Sequence, residues 1–327
     1  KPQKSCSACG QFFNAMQSVP CRNLSLVHPE PRGLCDDLRA DLCSGPGRGL
    51  RMFHATSANC SWPLVFGTSH CLPFRSFFLL RCTIAAIYST VFVADMVQHF
   101  SGGYWMIYLT RWSMTLETLY FVLAVYVTWR TRELVRARGP TWTEAAEAQR
   151  LPRPVQAMWL LWSIVMPSCI IVTIAYWSLI NPFWHLDPRQ PLSYSTFFEH
   201  LFNTLLLLAE MICCRNAFRA RHAGLLLVYA LLFLTWSLVH FVARIGVPED
   251  RKCTLYPDIR DCPIYPVLDW HKPGRTLIVL VLLLFLATVS LLLVWCCTHW
   301  RNKLDYAKQR ASHDENNVPQ VSIQHHG

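Results

Sequence analysis

The stretch LIVLVLLLFLATVSLLLVWCC, running from Leu277 to Cys297, carries no charged residue and is as long as a bilayer crossing. At 1.5 Å rise per residue, about 20 helical residues cover the roughly 30 Å hydrocarbon core. Lipid cannot satisfy backbone amides and carbonyls, so such a segment is expected as a helix. Working outward, five further stretches have the same character: Phe77 to Val97, Tyr104 to Trp129, Val155 to Ile180, Thr196 to Cys214 and Ala223 to Ala243. The expected fold is all-α, a six-helix transmembrane bundle over residues 74–300. Residues 1–73 are set apart as a cysteine-rich head, and residues 301–327 as a polar, disordered cytosolic tail. A chain of 327 residues then has no room for a large soluble catalytic domain.

The formal charge of +10 is distributed unevenly. Arg130, Arg132, Arg136, Arg138, Arg150 and Arg153 follow the second stretch, Arg215, Arg219 and Arg221 the fourth, and Arg301, Lys303, Lys308 and Arg310 the last. These basic segments alternate with connections poorer in positive charge or balanced by acids. The positive-inside rule therefore places both termini in the cytosol, in agreement with an even number of spans. Charge placed this way serves topology, and no nucleic-acid partner is expected. Residues 1–30 lack an apolar signal core, so the first span is expected to direct insertion into the plasma membrane or the endoplasmic reticulum.

Cysteines divide by region. The Cys6-x-x-Cys9 pair lacks two further ligands at zinc spacing, so the head is expected to hold reduced thiols and no metal. Neither a nucleotide-binding glycine loop nor a His-Glu-x-x-His motif is present, and no cofactor is expected. Cys253 and Cys262 lie in the last outer loop, as a lumenal disulfide or as two unpaired thiols. Cys213, Cys214, Cys296 and Cys297 end helices on the cytosolic side, as reversible palmitoylation sites or as small apolar fillers.

Polar residues recur within the apolar stretches. Thr110 falls about 9 Å into the second span and His200 about 6 Å into the fourth, both counted from the outer face. His240, near the outer end of the fifth, and Asp269, just before the sixth, approach the same level. His200, Asn203, Leu207 and Glu210 share one helical stripe, as do Trp236, His240 and Arg244, and Thr110, Met114 and Glu117. Intramembrane polar groups at one depth define a functional-site hypothesis, and interhelical packing is the competing reading. Glu117 and Glu210 are expected to pair with Arg or Asn, and Arg81 to snorkel to the cytosolic surface. Arg111 either snorkels outward or neutralises a carboxylate. Trp105, Trp159, Trp177, Trp184 and Trp300 are expected in the interfacial belt.

The strings Tyr108-Leu109-Thr110-Arg111-Trp112, His200-Leu201-Phe202-Asn203 and Ile264-Tyr265-Pro266-Val267-Leu268-Asp269-Trp270 resemble rolling stone-like proteins. Lys272-Pro273-Gly274 and the Thr173 to Trp177 segment extend the resemblance over roughly residues 74–300. The family takes its name from an insect membrane protein implicated in myoblast fusion, which implies a role in adhesion or fusion. More distantly, the pattern is similar to the androgen-induced family of intramembrane threonine hydrolases. That similarity implies Thr110 and His200 as a catalytic pair acting on fatty-acid esters.

Two function classes follow. In the first, His200 takes the Thr110 proton and the alkoxide attacks a lipid ester that arrives sideways from the outer leaflet, with Asn203, His240 and Asp269 in support. In the second, the bundle is a scaffold whose loops engage protein partners in the membrane. A transporter ranks third, because discontinuous helices and midplane ion sites are not evident, although Pro167 interrupts the third span.

Overall fold

The computed structural model describes residues 62–138, 151–181, 194–247 and 255–316. Within them every regular element is helical, and an isolated antiparallel bridge joins Ser69 to Cys214. In chain order the α-helices are α1 (Trp62–Gly67), α2 (Phe74–His99), α3 (Leu109–Arg138), α4 (Arg153–Ala175), α5 (Tyr194–Phe197), α6 (Asn203–Cys213), α7 (Ala223–Val242) and α8 (Pro273–Asn316). A 3-10 turn, Ser101–Ile107, precedes α3. Two π turns, Tyr176–Ile180 and Phe198–Phe202, follow α4 and precede α6.

Four helical segments are long and apolar enough to cross a membrane: Phe74–His99, Arg153–Ile180, Ala223–Val242 and Pro273–Leu304. The other two expected spans are helical but differ from the expectation. The second begins at Leu109, not Tyr104, because Gly102 and Gly103 lie in the 3-10 turn ahead of it. Thr110 is therefore the second residue of its helix and not buried a turn and a half inside. The fourth combines α5, a π turn and an α6 of 11 residues. At the far end, α8 continues through Asn316, so residues 301–316 of the expected disordered tail are helical.

α4 is the hub. In its most apolar window 61% of residues are buried, against 17 to 22% in the other three apolar segments. Pro152 and Pro154 start it, since a proline in the first turn has its φ preset and donates no amide that would go unpaired. Pro167 inside it removes one amide; nearby, the Ser168 hydroxyl turns back to the Ile164 carbonyl at 2.6 Å. Around α4 pack α3, α6, α7 and α8, and α2 packs on α3. The core joins Phe77, Tyr88, Phe121, Trp159, Trp162 and Leu207.

Arg81 does not snorkel. It is fully buried and donates to Glu210 Oε1 from Nε at 3.0 Å and Nη2 at 2.5 Å. Its Nη1 donates to the Phe66 carbonyl and the Thr128 hydroxyl, both at 2.8 Å. The reason is geometric: α1 folds back under the bundle and covers the route to water, with Gly67 so close to α3 that a Cβ there would run into Thr131. Trp105 and Trp159 are likewise buried and not interfacial, because their indoles find partners inside, Asp95 Oδ2 at 2.6 Å and the Ala217 carbonyl at 2.8 Å. Trp184 lies outside the described residues.

Candidate active site

The two π turns meet through the side chains of Tyr176 and His200. A π turn adds one residue to a helical turn and re-aims the side chains it carries, which is why such turns gather at functional positions. Here the rings of Tyr176 and His200 stack in parallel, with centroids 3.5 Å apart, and the Trp177 indole donates to the His200 carbonyl at 3.0 Å. His200 is buried, and its Nδ1 has no hydrogen-bond partner.

Thr110 arrives from the N-terminus of α3. That end is braced: Asp95 on α2 accepts from Arg111 Nε at 3.1 Å, from the Trp105 indole at 2.6 Å, and pairs with His99 at 2.7 Å. Arg111 thus neutralises a buried carboxylate. The first amide of α3, on Leu109, donates to the Tyr265 hydroxyl at 3.0 Å, and Tyr265 lines the same cavity as Thr110. Burial pushes the Tyr265 phenol up to about 12, so it is a neutral hydroxyl at physiological pH.

A cavity of about 400 Å³ joins these groups. Thr110, Ser168, Tyr176, His200, Tyr229, Tyr265 and Thr288 are the residues with polar side chains along its wall, and the remainder is mostly aliphatic, from α4, α7 and α8. Leu227 and Leu231 of α7 and Leu284 of α8 line it while remaining half exposed on the flank of the bundle, so the cavity reaches the lipid-facing side. Thr110 and His200 share one chamber without a hydrogen bond between them.

The supporting residues are elsewhere. Asn203 Oδ1 accepts from the Thr204 amide at 2.6 Å, and its side chain meets Glu117, which also touches Tyr88. His240 bonds the Gly246 carbonyl at 2.7 Å. Asp269 accepts from the Tyr256 hydroxyl at 2.7 Å and pairs with His271 and Lys272. Neither His240 nor Asp269 lines the cavity; both pin the loop that carries Tyr265 over its outer end. Tyr265 and Tyr176 are the site residues that pattern reading passed over, although each belongs to a string it had singled out. Their signal was a phenol beside a polar helix end, invisible until the loop folds over α3.

Of the expected stripes, His200, Asn203, Leu207 and Glu210 are all buried, as are Met114 and Glu117 below a half-buried Thr110, but the Trp236, His240 and Arg244 stripe breaks, because α7 ends at Val242 and Arg244 turns outward to Asp258 and Asp261. Cys262 is disulfide-bonded, and Cys253, expected beside it, lies outside the described residues. Of the helix-end cysteines, Cys297 is exposed, Cys213 and Cys296 are half-buried and Cys214 is buried. Among the described residues no three His, Cys, Asp or Glu side chains converge as metal ligands.

A family model described as Protein rolling stone matches residues 74–311. The chain belongs to the rolling stone family. Protein rolling stone of Drosophila melanogaster is 23% identical over 212 residues, covering 63% of this chain and 70% of that protein. No solved structure matches the chain. The rolling stone match begins with the first residue of α2 and ends in α8, so it encloses Thr110, His200 and Tyr265 and leaves out α1.

Proposed function

We propose that the chain is a six-span hydrolase of lipid esters, with Thr110 as nucleophile and His200 as base. The observation that carries this reading is the single apolar cavity onto which both residues open, from helices distant in sequence. A bound ester brings the Thr110 hydroxyl toward His200, whose ring takes the proton as the oxygen attacks the carbonyl. Tyr265, already accepting from the Leu109 amide, donates a hydrogen bond to the developing oxyanion, a role that Asn203, which does not line the cavity, does not fill. His200 then protonates the departing alcohol, and water activated by the same base releases the acid from Thr110.

Six spans with both termini cytosolic fit this site. Arg301 of α8 bonds the Met211 and Asn216 carbonyls, which places the basic end of α8 beside the basic segment after α6. The disulfide-bonded Cys262 lies in the loop at the opposite end, as an oxidising lumen or exterior requires. The aliphatic flank between α7 and α8 gives an acyl chain sideways access from the outer leaflet.

The test is turnover of branched fatty-acid esters by protein in lipid nanodiscs, together with labelling by a covalent serine/threonine-hydrolase probe. Thr110→Ala is expected to abolish both signals and His200→Ala to abolish turnover, with thermal unfolding unchanged. Wild-type protein that folds but neither turns over esters nor takes the probe at Thr110 would instead make the polar residues packing elements of a scaffold that binds protein partners.

A further inference from the structure

At the end of the bundle opposite the cavity, three thiols from two distant segments meet. The bridge between Ser69 and Cys214 brings the residues before α2 against the end of α6. The Ser69 hydroxyl donates to the Cys213 carbonyl at 2.6 Å, accepts from the amides of Cys71 at 3.2 Å and Leu72 at 3.0 Å, and lies 3.6 Å from the Cys71 sulfur. One hydroxyl thus links the Cys71 sulfur to the Cys213 backbone and makes the two cysteines neighbours across the bridge. Both are free; Cys71 is exposed and Cys213 half-buried behind it. Cys214 is buried, with Arg301 Nη1 3.6 Å from its sulfur. The three differ in access: one thiol is open to soluble reagents, its neighbour half-covered and the third withdrawn.

We propose that Cys71 and Cys213 are a reversible redox pair, oxidised to a disulfide by exchange with a glutathione-type disulfide. The Cys71 thiolate attacks one sulfur of oxidised glutathione; that S–S bond breaks and one glutathione leaves as thiolate. The Cys213 thiolate then attacks the Cys71 sulfur of the mixed disulfide and expels the second glutathione. The two protons lost by the cysteines end on the two glutathione thiols, so two protein thiols are oxidised as one small disulfide is reduced. Thiolate character and access set such rates, and exposure of Cys71 makes it the attacking residue. The product staples the segment after α1 to the end of α6, beside the Ser69 bonds and the bridge already there. This pair is independent of the chemistry proposed at the cavity.

Full-length protein in nanodiscs is treated with oxidised glutathione, blocked with N-ethylmaleimide, digested and mapped by mass spectrometry. The expected product is a Cys71 to Cys213 linked peptide, lost on adding dithiothreitol, while Cys296 and Cys297 form no link. In Cys213→Ser, Cys71 is expected to stop at the glutathione adduct. A wild-type Cys71 that stays as that adduct, that joins Cys214 or Cys297, or that remains unmodified when Cys297 reacts, overturns the proposal.

Discussion

Arg81→Met leaves the Glu210 carboxylate buried with the Tyr120 hydroxyl, at 3.0 Å, as its remaining donor. Arg81 joins four elements, α1 through Phe66, α3 through Thr128, α6 through Glu210, and its own α2. Glu210 Oε2 already has no partner, so the carboxylate has no reserve of hydrogen bonds. Removing one member of a buried ion pair costs about 3 to 5 kcal/mol, because the other charge stays buried and uncompensated. For a protein of this size that corresponds to a fall of roughly 4 to 7 °C in unfolding midpoint. Glu210→Leu is expected to cost a similar amount, by stranding the guanidinium. The double variant Arg81→Met/Glu210→Leu should recover most of the loss, since replacing both charges by apolar groups is often close to neutral. A thermal unfolding series on all four proteins in nanodiscs gives the coupling energy directly. Single variants within about 2 °C of wild type, or a double variant whose loss equals the sum of the singles, would refute the pair as the joint that locks α1 beneath the bundle.

Tyr265→Phe removes the acceptor of the Leu109 amide and the proposed oxyanion donor. Turnover is expected to fall by about two orders of magnitude with substrate binding nearly unchanged, which steady-state kinetics would separate. Gly246 has φ +73°, and a Cβ there would lie 2.5 Å from the Ile259 carbonyl oxygen. Gly246→Ala should therefore cost about 1 to 3 kcal/mol and free the His240 ring from the Gly246 carbonyl, seen as a lower unfolding midpoint. Burial opposes charge on Asp269, but the Tyr256 hydroxyl, the His271 amide and ring, and the Lys272 ammonium outweigh it and hold the carboxyl below the ordinary aspartate value. A depressed folded-state pKa stabilises above the unfolded value of about 3.9 and is lost as pH falls through the folded value. Hydrogen exchange in residues 255–272 should accelerate below about pH 4, and Asp269→Asn should erase that acid step; an identical profile in the variant counts against the network.

Long apolar runs are determined locally: any residue buried in hydrocarbon must pair its own backbone, so the helical character of all six stretches and the buried His200 to Glu210 stripe could be read directly from the sequence. Pairings between helices could not. Arg81 looked like a snorkelling residue because nothing in its own helix announces that α1 folds beneath it or that Glu210 lies across the bundle. Arg111 left two readings open until Asp95 closed one. Thr110 and His200 were named from pattern and resemblance, whereas the cavity they share exists only because two π turns abut and the loop carrying Tyr265 covers the head of α3. His240 and Asp269 sat at the right depth yet turned to the loop, since depth constrains one coordinate and leaves rotation about the helix and the path of the loop free. Sequence by itself decided which segments are helical and apolar, because that energy is paid residue by residue against lipid. Which polar groups face one another was decided by tertiary structure alone, because those contacts depend on rotations and crossings that only the packed neighbours set.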